Sequence, residues 1–210
     1  MRLTKLGHSC VRLDKDGASL VIDPGMWSGA DALAGANAVL ITHEHADHID
    51  GDVVRTALES NPALELWTVP VVAAEYVGFG GRVHGVGHGD AFTTVGFDVH
   101  VHGHHHAPIY PDMPAVPNVG FGIDGNVFHP GDSFTVPDEP VTTLLLPISA
   151  PWLKASDMID FTRAVRPKAS FAIHDELLNA NGIGLVKMVA DGLMSDAGYS
   201  RLEPGQSTEI

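Results

Sequence analysis

The segment His43-Glu44-His45-Ala46-Asp47-His48 places three imidazoles and a ligand-type carboxylate within six positions. Neutral imidazole and carboxylate oxygen both bind borderline-soft divalent cations such as zinc, at roughly 2.0–2.2 Å. That density of ligands is costly unless an ion offsets it, because each ring must stay neutral and correctly turned. His43 and His45 are two residues apart, so extended chain points both rings the same way. Asp47 and His48 follow where the chain turns. A short loop cannot wrap four adjacent ligands around one ion. Two ions divide them naturally, with His43 and His45 on one and Asp47 and His48 on the other.

Each ion then needs ligands from distant sequence, and candidates stand at the ends of expected strands. His104-His105-His106 follows the alternating run Phe97–His102, Asp132 follows Pro130-Gly131, and His174 follows the apolar run Phe171-Ala172-Ile173. Strand termini are where rigid sheets present functional loops. The remaining candidates divide by context. His100 and His102 read as the polar face of a strand, and His84 and His88 as solvated residues of a Gly-rich turn. His8 is a candidate for the cleft opposite the metals, and His129 either orients Asp132 or is exposed. Cys10 reads as a small buried hydrophobe. Trp27 and Trp152 lie in loops and read as cleft wall, Trp67 as core or cleft wall, and Asp175 and Glu176 as a turn cap. Lys154 and Arg82 are the basic side chains that could meet a substrate, and nothing in the sequence fixes either one.

The elements that must position these residues follow from the apolar pattern. Arg2 to Leu6, Val11 to Asp14 and Ser19 to Ile22 read as strands, the last two joined by the hairpin dipeptide Asp16-Gly17. Ala38 to Thr42 and Thr142 to Leu146 read as buried strands. Helices are expected over Val53 to Leu58, preceded by Asp50, Gly51 and Asp52, and over Pro70 to Val77, Ser156 to Val165 and Gly184 to Met194. Leu13 to Gly25 runs strand, Asp-Gly turn, strand, Asp-Pro-Gly. Phe121 to Gly131 runs strand, Asp-Gly turn, strand, His-Pro-Gly. This echo points to two similar halves, each a sheet with helices on one side. No linker divides the 210 residues, so a single domain over 1–210 is expected.

Composition narrows the class. A formal net charge of −14, from 26 acidic and 12 basic side chains, repels phosphate backbones and argues against nucleic acid. A metal site is locally positive and still accepts a small anionic substrate. With one cysteine, no internal disulfide forms; with no signal-like or membrane-length apolar run, a cytoplasmic location is expected. The absence of a Gly-X-Ser-X-Gly motif removes the usual serine nucleophile.

The six-residue segment matches the His-X-His-X-Asp-His signature of the metallo-β-lactamase superfamily, with Gly131-Asp132 and His174 at its later ligand positions. Leu6-Gly7-His8-Ser9-Cys10, Asp23-Pro24 and His129-Pro130-Gly131-Asp132-Ser133 resemble its branch of small stand-alone hydrolases similar to ascorbate-6-phosphate lactonase. The resemblance spans nearly the whole chain. It implies an αββα sandwich, two mixed β-sheets face to face with helices on the outer faces. It implies one metal on His43, His45 and one histidine of the triplet. His106 is favoured because it precedes a small residue and a long loop, while His104 and His105 remain open. A second metal would sit on Asp47, His48 and His174, with Asp132 bridging. The cofactors implied are two divalent ions, zinc first and Mn2+ or Fe2+ next. The activity implied is hydrolysis of a small ester, lactone or phosphoester by a metal-bridging hydroxide, with Asp47 as the catalytic residue that steers it or shuttles a proton. Two other readings are carried: a di-iron redox member of the same fold, and a non-catalytic metal-binding domain.

Overall fold

The structure, a computed structural model, describes residues 1–210. Arg2–Gly7 (β1), Cys10–Lys15 (β2) and Ala18–Ile22 (β3) form an antiparallel meander. Asp16 and Gly17 both adopt positive φ, 51° and 84°, the left-handed pair of a tight hairpin. Ala38–Ile41 (β4), Glu65–Thr68 (β5) and Val83–Gly85 (β6) then add in parallel to β3.

The second sheet repeats the plan. Ala91–Thr94 (β7), Phe97–His102 (β8), Gly120–Ile123 (β9) and Val127–His129 (β10) are antiparallel neighbours. Thr143–Pro147 (β11), Ala169–Ile173 (β12) and Tyr199–Ser200 (β13) continue in parallel from β10. The β9–β10 turn again uses positive φ, at Asp124 (52°) and Gly125 (60°). The chain's last strand, Ser207–Glu209 (β14), crosses back to pair with β1, giving two seven-stranded sheets. Both short C-terminal strands escape a reading by apolar pattern, because backbone pairing rather than a buried face defines them.

Gly51–Ser60 (α1) is capped by Asp50, whose carboxylate accepts from Val53 N at 3.1 Å. Pro70–Ala73 (α2) tightens into a 3₁₀ run over residues 74–82, where the sequence pattern predicts one helix to Val77; Gly80 at φ 64° breaks it. Ala155–Val165 (α3) ends on a left-handed Arg166 before Pro167. Ala180–Leu193 (α4) starts four residues before the expected Gly184, because Asn179 accepts from the amides of Asn181 and Gly182. No helix is long and apolar enough to cross a membrane.

Strand alternation assigns the core. On β11, Leu145 joins the cluster shared by both sheets, with Leu13, Phe121 and Ile123, while Leu144 and Leu146 face Met158, Phe161 and Ala190 of α3 and α4. Strands buried on both faces read as continuous apolar runs. The architecture is the αββα sandwich.

A buried ionic staple joins the sheets at one end. Lys5 on β1 donates from Nζ to Asp175 Oδ1 (2.9 Å), to Ala172 O at the end of β12 (3.1 Å) and to His8 O. Arg201 Nε donates to Asp175 Oδ2 at 2.7 Å. Burial lowers the Lys5 pKa, and Asp175 opposes that shift. Asp175→Asn should therefore cost about 3–5 kcal/mol in urea unfolding, because it leaves a buried ammonium without its counter-charge. Lys5→Met should cost less, since Arg201 still neutralises Asp175.

Candidate metal centre

The candidate ligands come from strand ends at a single rim of the sandwich. The loop after β4 supplies His43, His45, Asp47 and His48. His106 follows β8, Asp132 follows β10 and His174 follows β12. Gly25, just past β3, explains why the loop after β4 sits where it does: a Cβ there would lie 1.9 Å from Asp47 O and 2.6 Å from His48 N. Backbone bonds Met26 N to Ala46 O (2.8 Å) and Asp50 N to Pro24 O (2.8 Å) fasten the two loops together. Gly131 adopts φ 61°, with Asn118 and Thr42 where a side chain would point. His8, Asp23 and His174 also adopt left-handed backbone, at φ 38°, 52° and 56°. Non-glycine residues held there concentrate at functional sites.

The ligand atoms fall into two groups. His43, His45, His106 and Asp132 form one, and His8, Asp47, His48 and His174 the other, each within 4.8 Å. Asp132 reaches both: its Oδ2 stands 3.2 Å from His106 Nε2 and 3.1 Å from His174 Nε2, and its Oδ1 3.0 Å from His48 Nε2. Asp47 Oδ2 stands 3.3 Å from both His8 Nε2 and His174 Nε2. Yet His8 Nε2, His48 Nε2, His174 Nε2 and Asp132 Oδ1 are buried without a hydrogen-bond partner. Atoms bonded to one cation at ~2.0–2.2 Å stand roughly 3.0–3.5 Å apart. The donor set therefore fits divalent ions better than a self-contained polar network.

Ring orientation is fixed from behind. Asp23, fully buried at the end of β3, accepts from His48 Nδ1 (2.6 Å), Thr42 Oγ1 (2.7 Å) and Thr42 N (2.8 Å). His43 Nδ1 donates to Thr42 Oγ1 at 3.0 Å. His174 Nδ1 donates to Ser149 O (2.5 Å) and His106 Nδ1 to Ala107 O. Each of these rings thus presents Nε2 to the centre. Asp23 entered the sequence reading only through its proline neighbour; its burial and its three donors emerge from the fold alone.

The other predicted residues separate clearly. His104 and His105 are exposed and point away, so of the triplet only His106 joins the centre. His129 is buried, accepts from Gly131 N (3.1 Å) and donates to Ser9 O (3.0 Å), holding the turn ahead of Asp132. Trp27 lies against His8 with ring centroids at 4.7 Å, and Trp152 lies 5.5 Å from His106 and 5.9 Å from His174. Trp67 stacks between His84 and Phe92 instead, away from the centre. His100 is exposed as expected, but His102 is buried. Gly122 on β9 has no side chain there, and the His102 ring fills the space. Cys10 is buried with its thiol pushed up to about 12, Lys154 precedes α3 on the surface, and Arg82 donates to the carbonyls of Leu58 and Asn61 at the C-terminal end of α1. Glu176 N points at His8 Nδ1 from 3.4 Å.

Burial works first against every charge here, and the neighbours decide the outcome. Asp132 and Asp23 hold His48 well above the ordinary imidazole range, and Asp132 with Asp47 raises His174 to about 9. The same rings hold Asp132 and Asp47 below the carboxylate range. Burial, reinforced by its imidazole neighbours, drives His43 well down. Metal ligation needs neutral imidazole, so an ion held by His48 and His174 would displace their protons on loading. Calorimetry in buffers of different ionisation enthalpy at pH 7.5 should report release of about two protons per chain. With its raised folded pKa, His174 stabilises the metal-free protein fully below pH 6.5. That stability is lost as pH rises through about 9, which thermal unfolding of metal-free and metal-loaded protein should resolve.

Residues 2–174 match the family described as a β-lactamase superfamily domain. A Mycobacterium tuberculosis protein, Rv0786c, is 37% identical over 191 residues, covering 88% of this chain and 89% of its own. A UPF0173 metal-dependent hydrolase of a Geobacillus species is 32% identical over 149 residues, 63% of each chain. The fold resembles that of a metallo hydrolase from the archaeon Ignicoccus hospitalis, with a TM-score of 0.75 at 20% identity over 100% of this chain and 98% of that one. With a family match over most of its length and the sandwich in place, the chain belongs to the metallo-β-lactamase superfamily.

Proposed function

We propose that this protein is a hydrolase working with two divalent ions, zinc first among them, on a small ester, lactone or phosphoester. The observation that carries the reading is the convergence of buried, partnerless Nε2 and Oδ atoms from four strand ends. His43, His45 and His106 would hold one ion and Asp47, His48 and His174 the other, with Asp132 between them. When bound, such ions supply a hydroxide at neutral pH and polarise the bond to be cleaved.

The chain's own residues would do the rest. Asp47 is the one carboxylate of the centre with solvent access, its side chain 21% exposed against 3% for Asp132. It stays ionised at neutral pH, so it can steer a nucleophile or accept a proton at the mouth of the cleft. His8, facing Asp47 Oδ2, orients that carboxylate. Trp152, buried beside His106 and His174, excludes water on one side, which strengthens the electrostatic contacts there. Asp23 keeps His48 turned and basic through a carboxylate–imidazole pair.

Elemental analysis of purified protein should find two equivalents of divalent metal per chain. His45→Ala should lose one, and Asp132→Ala should lose both. Turnover of a panel of esters, lactones and phosphodiesters should fall more than about a hundredfold in each. His8→Phe should retain both metals and lose about tenfold in kcat/KM. A protein that binds no metal at any concentration would sink the reading, and iron with oxygen consumption but no hydrolysis would place it in the redox class.

A further inference from the structure

Beside the metal centre lies a cavity of about 130 Å³, lined by the rings of His45 and His106 and by the loop from Ala107 to Val116. The loop's contribution is apolar: Pro108, Ile109, Tyr110 and Met113 form its face, and no lysine or arginine lines the cavity. Ile109, Tyr110 and Met113 are 39%, 62% and 52% exposed, which sets a group of large apolar side chains in water on a strongly acidic protein. Such exposed groups mark binding surfaces more often than chance packing does.

The loop is also preformed. His106 N donates to Val116 O (2.9 Å) and Ala107 N to Asp132 O (2.7 Å), closing the segment at its base. Pro108, Pro111, Pro114 and Pro117 restrict its backbone, so little ordering remains to be done on binding. The charges carried by the adjoining chain are negative, from Glu44 between two candidate ligands and Asp112 within the loop. An anionic group would find no fixed cation in the cavity wall; a neutral apolar group meets proline, isoleucine, tyrosine and methionine.

We infer that the cavity beside His45 and His106 receives the apolar group of an uncharged ester or lactone, so that the enzyme selects neutral hydrophobic carbonyl substrates over phosphoesters. The inference rests on the hydrolase reading above and narrows it. Hydrolysis of such an ester adds one water and releases a carboxylic acid and an alcohol. The acid ionises, and the cavity wall offers its carboxylate no cation to hold it.

The test uses zinc-loaded protein and two series of probes. Binding of alkyl hydroxamates from acetyl to octanoyl, followed by calorimetry, should tighten about fourfold per added methylene until the cavity is filled. Hydrolysis of p-nitrophenyl acetate, butyrate and hexanoate should rise in the same order and exceed that of bis-p-nitrophenyl phosphate. In the double variant Ile109→Asp, Met113→Glu the slope should collapse below twofold per methylene with metal content unchanged. A flat hydroxamate series, or a phosphodiester hydrolysed faster than the hexanoate ester, overturns the inference. Turnover with a flat series leaves the hydrolase reading standing and removes the apolar site. A steep series with no turnover of any ester does the reverse.

Discussion

Imidazole and carboxylate lone pairs brought face to face at about 3 Å are repulsive and badly solvated unless a metal cation or a proton lies between them. Here Asp132, His48 and His174 meet in that way at distances of 3.0–3.1 Å, nearly shielded from water. The rest of the structure depends on making that arrangement reproducible. Asp23 and two backbone carbonyls turn the rings, Gly25 and Gly131 let the loops approach, and Lys5 ties the two sheets where His8 and His174 emerge. Without an ion, the cluster keeps itself neutral by sharing protons, which is why His174 and His48 are basic while Asp132 and Asp47 are acidic.

The two halves explain how one chain can supply so many ligands to one place. Each half folds as a hairpin with an Asp-Gly turn followed by parallel strands, so the parallel strand ends of both sheets meet at the same rim. Corresponding positions then specialise. After β3 the turn Asp23-Pro24-Gly25 places a carboxylate behind the rings. After β10 the turn His129-Pro130-Gly131 places an imidazole behind and Asp132 in front. The symmetry is of backbone; the chemistry is divided between the copies.

The surroundings of the centre are unequal. Toward His8 and Asp47 the wall is Trp27 and a solvent path, where protons can be exchanged. Toward His45 and His106 it is the proline-rich loop, whose cavity face is apolar. A site with a polar side for the water and an apolar side for the organic group is suited to splitting the two halves of a molecule apart.

The sandwich entered through the family resemblance that the motifs carry; the dense cluster His43 to His48, the strand-end positions of Asp132 and His174 and the hairpin echo were legible in the linear sequence itself. Each is local: a two-residue spacing, a turn dipeptide or an apolar run constrains its own neighbourhood. What only the tertiary structure decided is which atoms share a centre. His106 was separated from His104 and His105 by the bonds that close its loop. His8 was carried from a cleft candidate to within 3.3 Å of Asp47 by the left-handed turn after β1. Asp23 became the orienting carboxylate because β3 and β4 are parallel neighbours, and His102 was buried because its partner strand carries glycine. These outcomes rest on contacts between residues far apart in the chain, and no periodicity records such contacts. Composition and spacing determine that ligands exist; sheet pairing and loop closure determine which way they face.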